Sequence, residues 1–399
     1  MLRRRLIQVS CWVAFTVISF PIQADDWRGY VSAEARLFPH SAADPEQHGD
    51  NLSFAAEPEY YREWDDGRRS FSFIPFARLD QGDSDRSHFD VRELLWQWVG
   101  QSWELRAGIG KVFWGVAETR HLVDIINQTD AVENIDLEDK LGQPMVDLAL
   151  IRDWGTVDLF ILPGFRERTF PGPDGRLRSQ PPVKTSRTRY ESAAKKKHVD
   201  WAVRWAHSIG DWDIGTYYFN GTSREPLLLP EVNAIGELEL IPFYEQLQQF
   251  GLDVQATKGD WLWKLEAIAG KGKDDRFGAV VGGFEYTLVG LLETRADLGL
   301  LVEYLYDDRG DNAPTPFQDD VFLGARITPN DAQSTEFLFG IFIDPDNGTR
   351  TYNLETSRRI GSHWKLSIEA RIFSNIPKDD LLFSFRDDDY LQVELARYF

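Results

Sequence analysis

The sequence predicts an all-β protein, a transmembrane antiparallel up-and-down barrel of about 16 strands, within about 14–18. Three observations predict it. Segments of about ten residues alternate apolar and polar side chains along most of the chain. Turn-forming residues bound each segment. Aromatic residues, with 14 Trp, 13 Tyr and 26 Phe among 399 residues, gather at segment ends, where an apolar ring with a polar edge suits a membrane–water boundary.

The first element is a leader, not part of the fold. Arg3, Arg4 and Arg5 precede an apolar run over 11–20, then Pro21 and a short exit to Ala24. This is the layout of a secretory signal peptide cleaved after Ala24. The run is shorter than the ~20 apolar residues that a spanning helix needs. The expected domains are thus a signal peptide at 1–24 and one barrel domain at 25–399. The only cysteine, Cys11, falls in the leader, so the exported part has neither disulfides nor thiolate metal sites. Losing the three arginines takes the formal net charge from −20 to −23, which argues against nucleic acid as a partner. Low mean hydropathy rules out a helical bundle in lipid. It does not rule out a barrel, whose strands show one polar face to the lumen.

The alternation runs in chain order. Over 30–38, Val31, Ala33, Ala35 and Leu37 oppose Ser32, Glu34 and Arg36; over 102–110, Trp103, Leu105, Ala107 and Ile109 oppose Glu104 and Arg106. Over 260–269 the apolar row is Trp261, Trp263, Leu265, Ala267 and Ala269, against Lys264 and Glu266. Segments 297–307, 320–328 and 363–373 repeat the pattern, with Glu303, Arg326, Glu369 and Arg371 on the polar side. Short breaks at 208–211, 258–260 and 359–362, and an Asn347-Gly348 hairpin signal, alternate with longer polar breaks near 39–51, 115–143, 164–198, 221–243, 307–319 and 375–388. The asymmetry predicts short periplasmic turns and long extracellular loops. At the C-terminus, Leu391, Val393, Leu395 and Phe399 share an apolar face. That ending resembles the assembly signal of Gram-negative outer-membrane proteins, whose last residue is typically Phe. The resemblance implies insertion by the outer-membrane assembly machinery.

A more local resemblance lies in 108–130 and 160–178. Trp114-Gly115, Asp124-Ile125-Ile126-Asn127 and Pro163-Gly164-Phe165 are similar to features of an uncharacterised porin-like family of proteobacteria. This likeness implies a porin-like barrel in the bacterial outer membrane, and implies fold and location better than substrate.

Two of the long breaks differ in charge. Segment 115–145 is acidic, with Asp124, Asp130, Glu133 and Asp136 among its acids; 164–198 is basic, with Arg166, Arg168, Arg176, Arg178, Lys184, Arg187 and Arg189. One reading makes the basic loop an anion-attracting constriction facing the acidic loop across the water path. The other makes it a solvated surface that meets lipopolysaccharide phosphates. No cofactor and no dedicated metal site are expected, beyond a Ca²⁺ or Mg²⁺ ion that loop carboxylates such as Asp307, Asp308, Asp311, Asp319, Asp320 or 387–389 could hold. The Asp344-Pro345-Asp346-Asn347-Gly348 run reads as a turn. No G-x-S-x-G, H-E-x-x-H or phosphate-loop motif is present, and the seven histidines are scattered. The expected function is passive diffusion of small polar or anionic solutes through a non-enzymatic channel. The rivals are a non-conducting barrel used for binding, adhesion or export, and a barrel enzyme. Expected partners are outer-membrane lipid and lipopolysaccharide, the assembly machinery and small solutes; the oligomeric state is open.

Overall fold

The computed structural model describes residues 27–399 apart from Asp274, so the leader at 1–24 lies outside the described residues. Its strands are β1 (Trp27–Leu37), β2 (Asn51–Trp64), β3 (Arg69–Asp80), β4 (His88–Val99), β5 (Trp103–Gly110), β6 (Gln143–Arg152), β7 (Gly155–Pro163), β8 (Arg189–Tyr190), β9 (Val199–Ile209), β10 (Trp212–Thr222), β11 (Leu227–Val232), β12 (Leu238–Tyr244), β13 (Gln246–Lys258), β14 (Trp261–Lys271), β15 (Arg276–Leu288), β16 (Asp297–Asp307), β17 (Asp319–Thr328), β18 (Glu336–Ile343), β19 (Arg350–Ile360), β20 (Trp364–Ser374) and β21 (Tyr390–Tyr398). Eighteen of them form one sheet. The other three, β8, β11 and β12, make a small separate sheet within the connections.

Each wall strand pairs antiparallel with the next one in the wall, β7 passing to β9 and β10 to β13. The cylinder closes where β1 pairs with β21, setting Ala33 against Leu395 and Ala35 against Val393. Beyond that register Gly29 and Phe399 exchange both backbone hydrogen bonds. Closure removes every sheet edge from the wall, which a sheet in lipid requires because lipid offers no hydrogen bonds. Eighteen strands is the top of the expected range and two above its central value. Connections as short as 272–275 and 344–349 join strands on the longer-loop rim, so each strand uses less chain than assumed.

The alternation maps onto the two faces. Leu52, Phe54, Leu79, Phe89, Trp263, Leu265, Leu300, Ile372, Leu391 and Leu395 are exposed on the outside. Such a continuous apolar belt belongs against lipid rather than water. No helix among the described residues is long and apolar enough to cross a membrane; the strands do it. Trp27, Trp98, Trp103, Trp212, Trp261 and Trp364 all sit at strand ends on the rim with the shorter turns, forming one aromatic girdle. At Gly108, φ is +139° and an added Cβ would lie 2.0 Å from the Leu94 carbonyl oxygen. Only glycine permits β4 and β5 to approach so closely there.

The inner face is not uniformly polar. Ala279, Val281, Leu301, Leu305, Phe322 and Phe342 point inward and are buried together with Ala117 and Leu122 of the 111–142 connection. An apolar patch on the wet side of a wide barrel must be covered by something, and here a loop covers it.

Candidate functional site

The site is the lumen where 111–142 folds inward. This connection leaves β5 and first packs Trp114 against Phe160 of β7 and Tyr217 of β10, at ring separations of 5.7 and 4.9 Å. Gly115 follows because the His121 ring leaves no room: an added Cβ would be 2.3 Å from His121 Nδ1. The chain then reaches the far wall. Buried Glu266 on β14 accepts the backbone N–H groups of Val116 (2.6 Å), Ala117 (2.8 Å) and Val123 (3.2 Å). Glu303 on β16 accepts those of Glu118 (2.7 Å) and Thr119 (3.0 Å), and the Thr119 hydroxyl (2.6 Å). Two wall carboxylates thus satisfy five N–H groups of an irregular segment that would otherwise be buried without partners.

The Asp124–Asn127 stretch stitches the loop to itself. Asp124 Oδ1 accepts from the backbone N–H of Trp114 (2.6 Å) and Gly115 (3.1 Å). Asn127 accepts from Val112 N (2.8 Å) and donates to the carbonyls of Gly110 and Leu141 (both 2.9 Å). The residues that carry the family likeness therefore set the shape of this loop.

A second arm of the same loop runs to the opposite side. There Arg36, Arg78, Arg86 and Arg92 from β1, the β3–β4 region and β4 meet Glu34, Asp80, Asp130 and Glu133. Arg78 lies 2.7 Å from Glu133 and 3.2 Å from Glu34; Arg86 is 2.9 Å from Glu34 and 2.8 Å from Asp80; Arg92 is 2.6 Å from Asp130. Burial works against ionised Asp130, but His88 and Arg92 outweigh it and hold its carboxyl down at about 2. His88, Asp130 and Glu133 lie close enough to surround a metal ion. Their oxygens are already engaged by two arginines, and a further cation there would meet like charge, so this cluster is an ion-pair lattice.

Water-facing charge lies between the two arms and the β17–β20 wall. Glu355 points inward from the middle of β19 yet its side chain is 46% exposed, and Glu138 on the loop is 48% exposed. A side chain that points into a closed cylinder and stays exposed faces internal water. Nearby, Glu118 meets Arg326 (2.7 Å) and Lys264 (3.3 Å), and Arg371 meets Glu355 (2.6 Å). His121 joins the arms, 3.2 Å from Glu138 and 3.7 Å from Glu266. Burial would lower its pKa, but the two neighbouring carboxylates, Glu138 and Glu266, raise it to about 10. Asn134 donates to both Asp136 (2.8 Å) and Glu369 (3.0 Å). Burial first, then the Glu369 charge, push Asp136 up to about 7 against the pull of Arg371. Asp139 rises to about 6 through burial and Glu133.

The basic residues of 164–198 are placed differently from a bare positive rim. Arg166 pairs with Asp90 at 2.7 Å, Arg176 with Asp388 at 2.6 Å and Arg178 with Asp44 at 2.9 Å. Arg187 contacts Glu231 (2.7 Å) and Glu239 (3.0 Å), and Arg189 contacts Glu231 (2.6 Å). Arg168 donates to the Arg224 carbonyl at 3.2 Å, while Lys184 is exposed. These contacts tie the basic loop to β4, 38–50, 375–389 and the β11–β12 hairpin and neutralise most of its arginines, while Lys184, Lys195 and Lys197 are exposed without an ion pair among the described residues. The two loops meet where Thr169 donates to Asp130 at 2.6 Å. Of the acids expected to oppose arginines across water, Asp124 closes its own loop, Asp130 and Glu133 join the buried lattice, and Asp136 alone faces the lumen. Glu266 and Glu303 were legible as inward-facing charges but not as loop anchors. The signal for that role was the inward Leu301 and Leu305 beside them.

No family model matches the sequence, and no curated protein matches it. Among solved structures, the chain is similar to a BenF-like porin from Pseudomonas fluorescens Pf-5, with 10% identity and a TM-score of 0.52 over 94% of this chain and 97% of that one. It also aligns with a mutant of the Rh. blastica porin at 11% identity and a TM-score of 0.47, over 94% and 99% of the two chains. A loop-deletion mutant of OmpT, an outer membrane protein of Vibrio cholerae, aligns at 10% identity and 0.47, over 94% and 98%. The first likeness shows the fold: this chain is a porin-like β-barrel.

Proposed function

We propose that the protein is a passive outer-membrane channel for small polar solutes, with cations favoured over anions. The observation that carries this reading is the exposure of Glu355 and Glu138 inside the cylinder, beside a loop that narrows the lumen and is stitched to its wall. Charge at a narrowing acts strongly because the low-dielectric wall focuses the field. Around this narrowing Glu118, Asp136, Glu138, Glu355 and Glu369 outnumber His121, Lys264, Arg326 and Arg371. An anion preference was expected from the basic loop, but its arginines other than Arg168 pair with acids of β4 and of neighbouring connections.

Purified protein in planar bilayers is expected to give discrete conductance steps and a reversal potential displaced toward the cation. A barrel that only binds a partner gives no steps. Asp136 is neutral below its raised pKa and negative above it. Cation preference should therefore strengthen as pH rises from about 5 to about 8, and Asp136→Asn should flatten that slope. Reversal potentials that favour anions at both ends would contradict the charge assignment.

A further inference from the structure

We infer that Asp320 and Asp344 hold a divalent cation of the Ca²⁺ or Mg²⁺ class on the lumen side of the longer-loop rim. The strand register brings them together. Val321 on β17 is opposite Ile343 on β18, so one step toward the rim sets Asp320 against Asp344. Side chains directly opposite in an antiparallel pair have Cβ atoms about 4.5–5.5 Å apart. Both share the inward side with Phe322 and Phe342, two residues below, whose rings lie 4.8 Å apart.

Both aspartates are buried, each 4% exposed. Asp320 Oδ2 has no hydrogen-bond partner. Asp344 Oδ1 accepts the backbone N–H groups of Asp346 (2.8 Å) and Asn347 (3.2 Å), which fix the carboxylate and fold 344–349 around it. Asp380 reaches the same loop from 375–389, accepting from the Thr349 hydroxyl at 2.8 Å and Asn347 Nδ2 at 3.3 Å. Among the described residues, no arginine, lysine or histidine forms an ion pair with Asp320, Asp344 or Asp380.

Most buried acids here meet an arginine, and Asp83, Glu266 and Glu303, which meet none, have their oxygens occupied by backbone N–H groups. Glu34, Asp130, Glu133, Asp200, Asp253, Asp307 and Asp388 are all buried and all lie within ion-pair distance of an arginine. Two buried carboxylates side by side need a countercharge or a shared proton. Hard divalent cations take carboxylate and water oxygens, and the lumen supplies the water. An ion bound here would clamp β17, β18 and the 344–349 loop, with Asp380 adding negative charge behind it. The inference goes beyond the channel reading and does not rest on it.

The test is equilibrium dialysis of the full protein in detergent against radioactive Ca²⁺ after stripping with EDTA, with Mg²⁺ as competitor. One saturable ion per chain is expected in the unaltered protein. Asp320→Asn and Asp344→Asn, each checked for an intact barrel by heat-modifiable gel migration, should each weaken binding by about tenfold or more. No saturable binding to the unaltered protein would mean that the pair shares a proton and would overturn the proposal. Unweakened binding in either folded variant would also overturn it, by assigning the ion to exposed acids elsewhere.

Discussion

Replacing Glu266 and Glu303 together by alanine is expected to raise single-channel conductance by roughly twofold or more while the barrel stays folded. The five N–H groups they hold, from Val116 to Val123, would lose their acceptors. A buried N–H left without a partner costs about 1–3 kcal/mol. The apolar contact of Ala117 and Leu122 with the wall and the pairs of Glu118 with Arg326 and Lys264 do not offset several such losses, so the 116–123 arm should leave the wall. The wall itself is held by its backbone ladder, which these side chains do not join. Gln at both positions keeps one carbonyl acceptor each and should give a smaller rise. An unchanged conductance in the double alanine variant would mean that the arm is held by something else or does not narrow the path.

Arg86→Ala should destabilise the folded barrel by about 3–5 kcal/mol, the typical result of breaking a buried ion pair from one side. Arg86 serves Glu34 and Asp80 together and also donates to the carbonyls of Val132 and Glu133. Its loss leaves Glu34 with only Arg36 and Arg78 and frees the second arm of the loop. Asp80 loses its only arginine, so adding Asp80→Asn in the Arg86→Ala background removes the stranded charge and should restore part of the loss. Urea unfolding in detergent, followed by tryptophan emission, reads both variants. A loss below about 1 kcal/mol, the range of exposed pairs, would show that water reaches the lattice.

The wall was legible because its physics is local. A strand between lipid and water must alternate; 363–372 does so residue by residue, and 260–269 and 297–307 do so with Leu262, Ile268, Leu301 and Leu305 intruding on the polar row. The girdle was legible for the same reason, since Trp261 and Trp364 open their strands. The loops were not legible, because a loop's position is set by residues far away in sequence. Nothing in 115–145 announces that Glu266 and Glu303, more than a hundred residues on, will accept its N–H groups. Leu301 and Leu305 broke the polar row of β16 and marked a covered patch, but not which loop covers it. Charge counting over 164–198 saw its arginines but not Asp44, Asp90 and Asp388, which neutralise three of them from β4 and two other connections. At Asn347-Gly348 only Gly348 takes a positive φ, +80°. The loop there is folded around the Asp344 carboxylate and is not a two-residue hairpin turn.

The only cysteine in the sequence is Cys11, so single cysteines can report which side of the wall meets water. Glu355→Cys and Leu354→Cys place a thiol on adjacent residues of β19, Glu355 paired with Glu369 inside and Leu354 with Ala370 outside. A charged, membrane-impermeant thiol reagent added to barrels in a bilayer should react with the Glu355→Cys variant, reduce its current, and leave the Leu354→Cys variant untouched. Reaction at 354 but not at 355, or at neither, would contradict a water-filled lumen beside the folded-in loop.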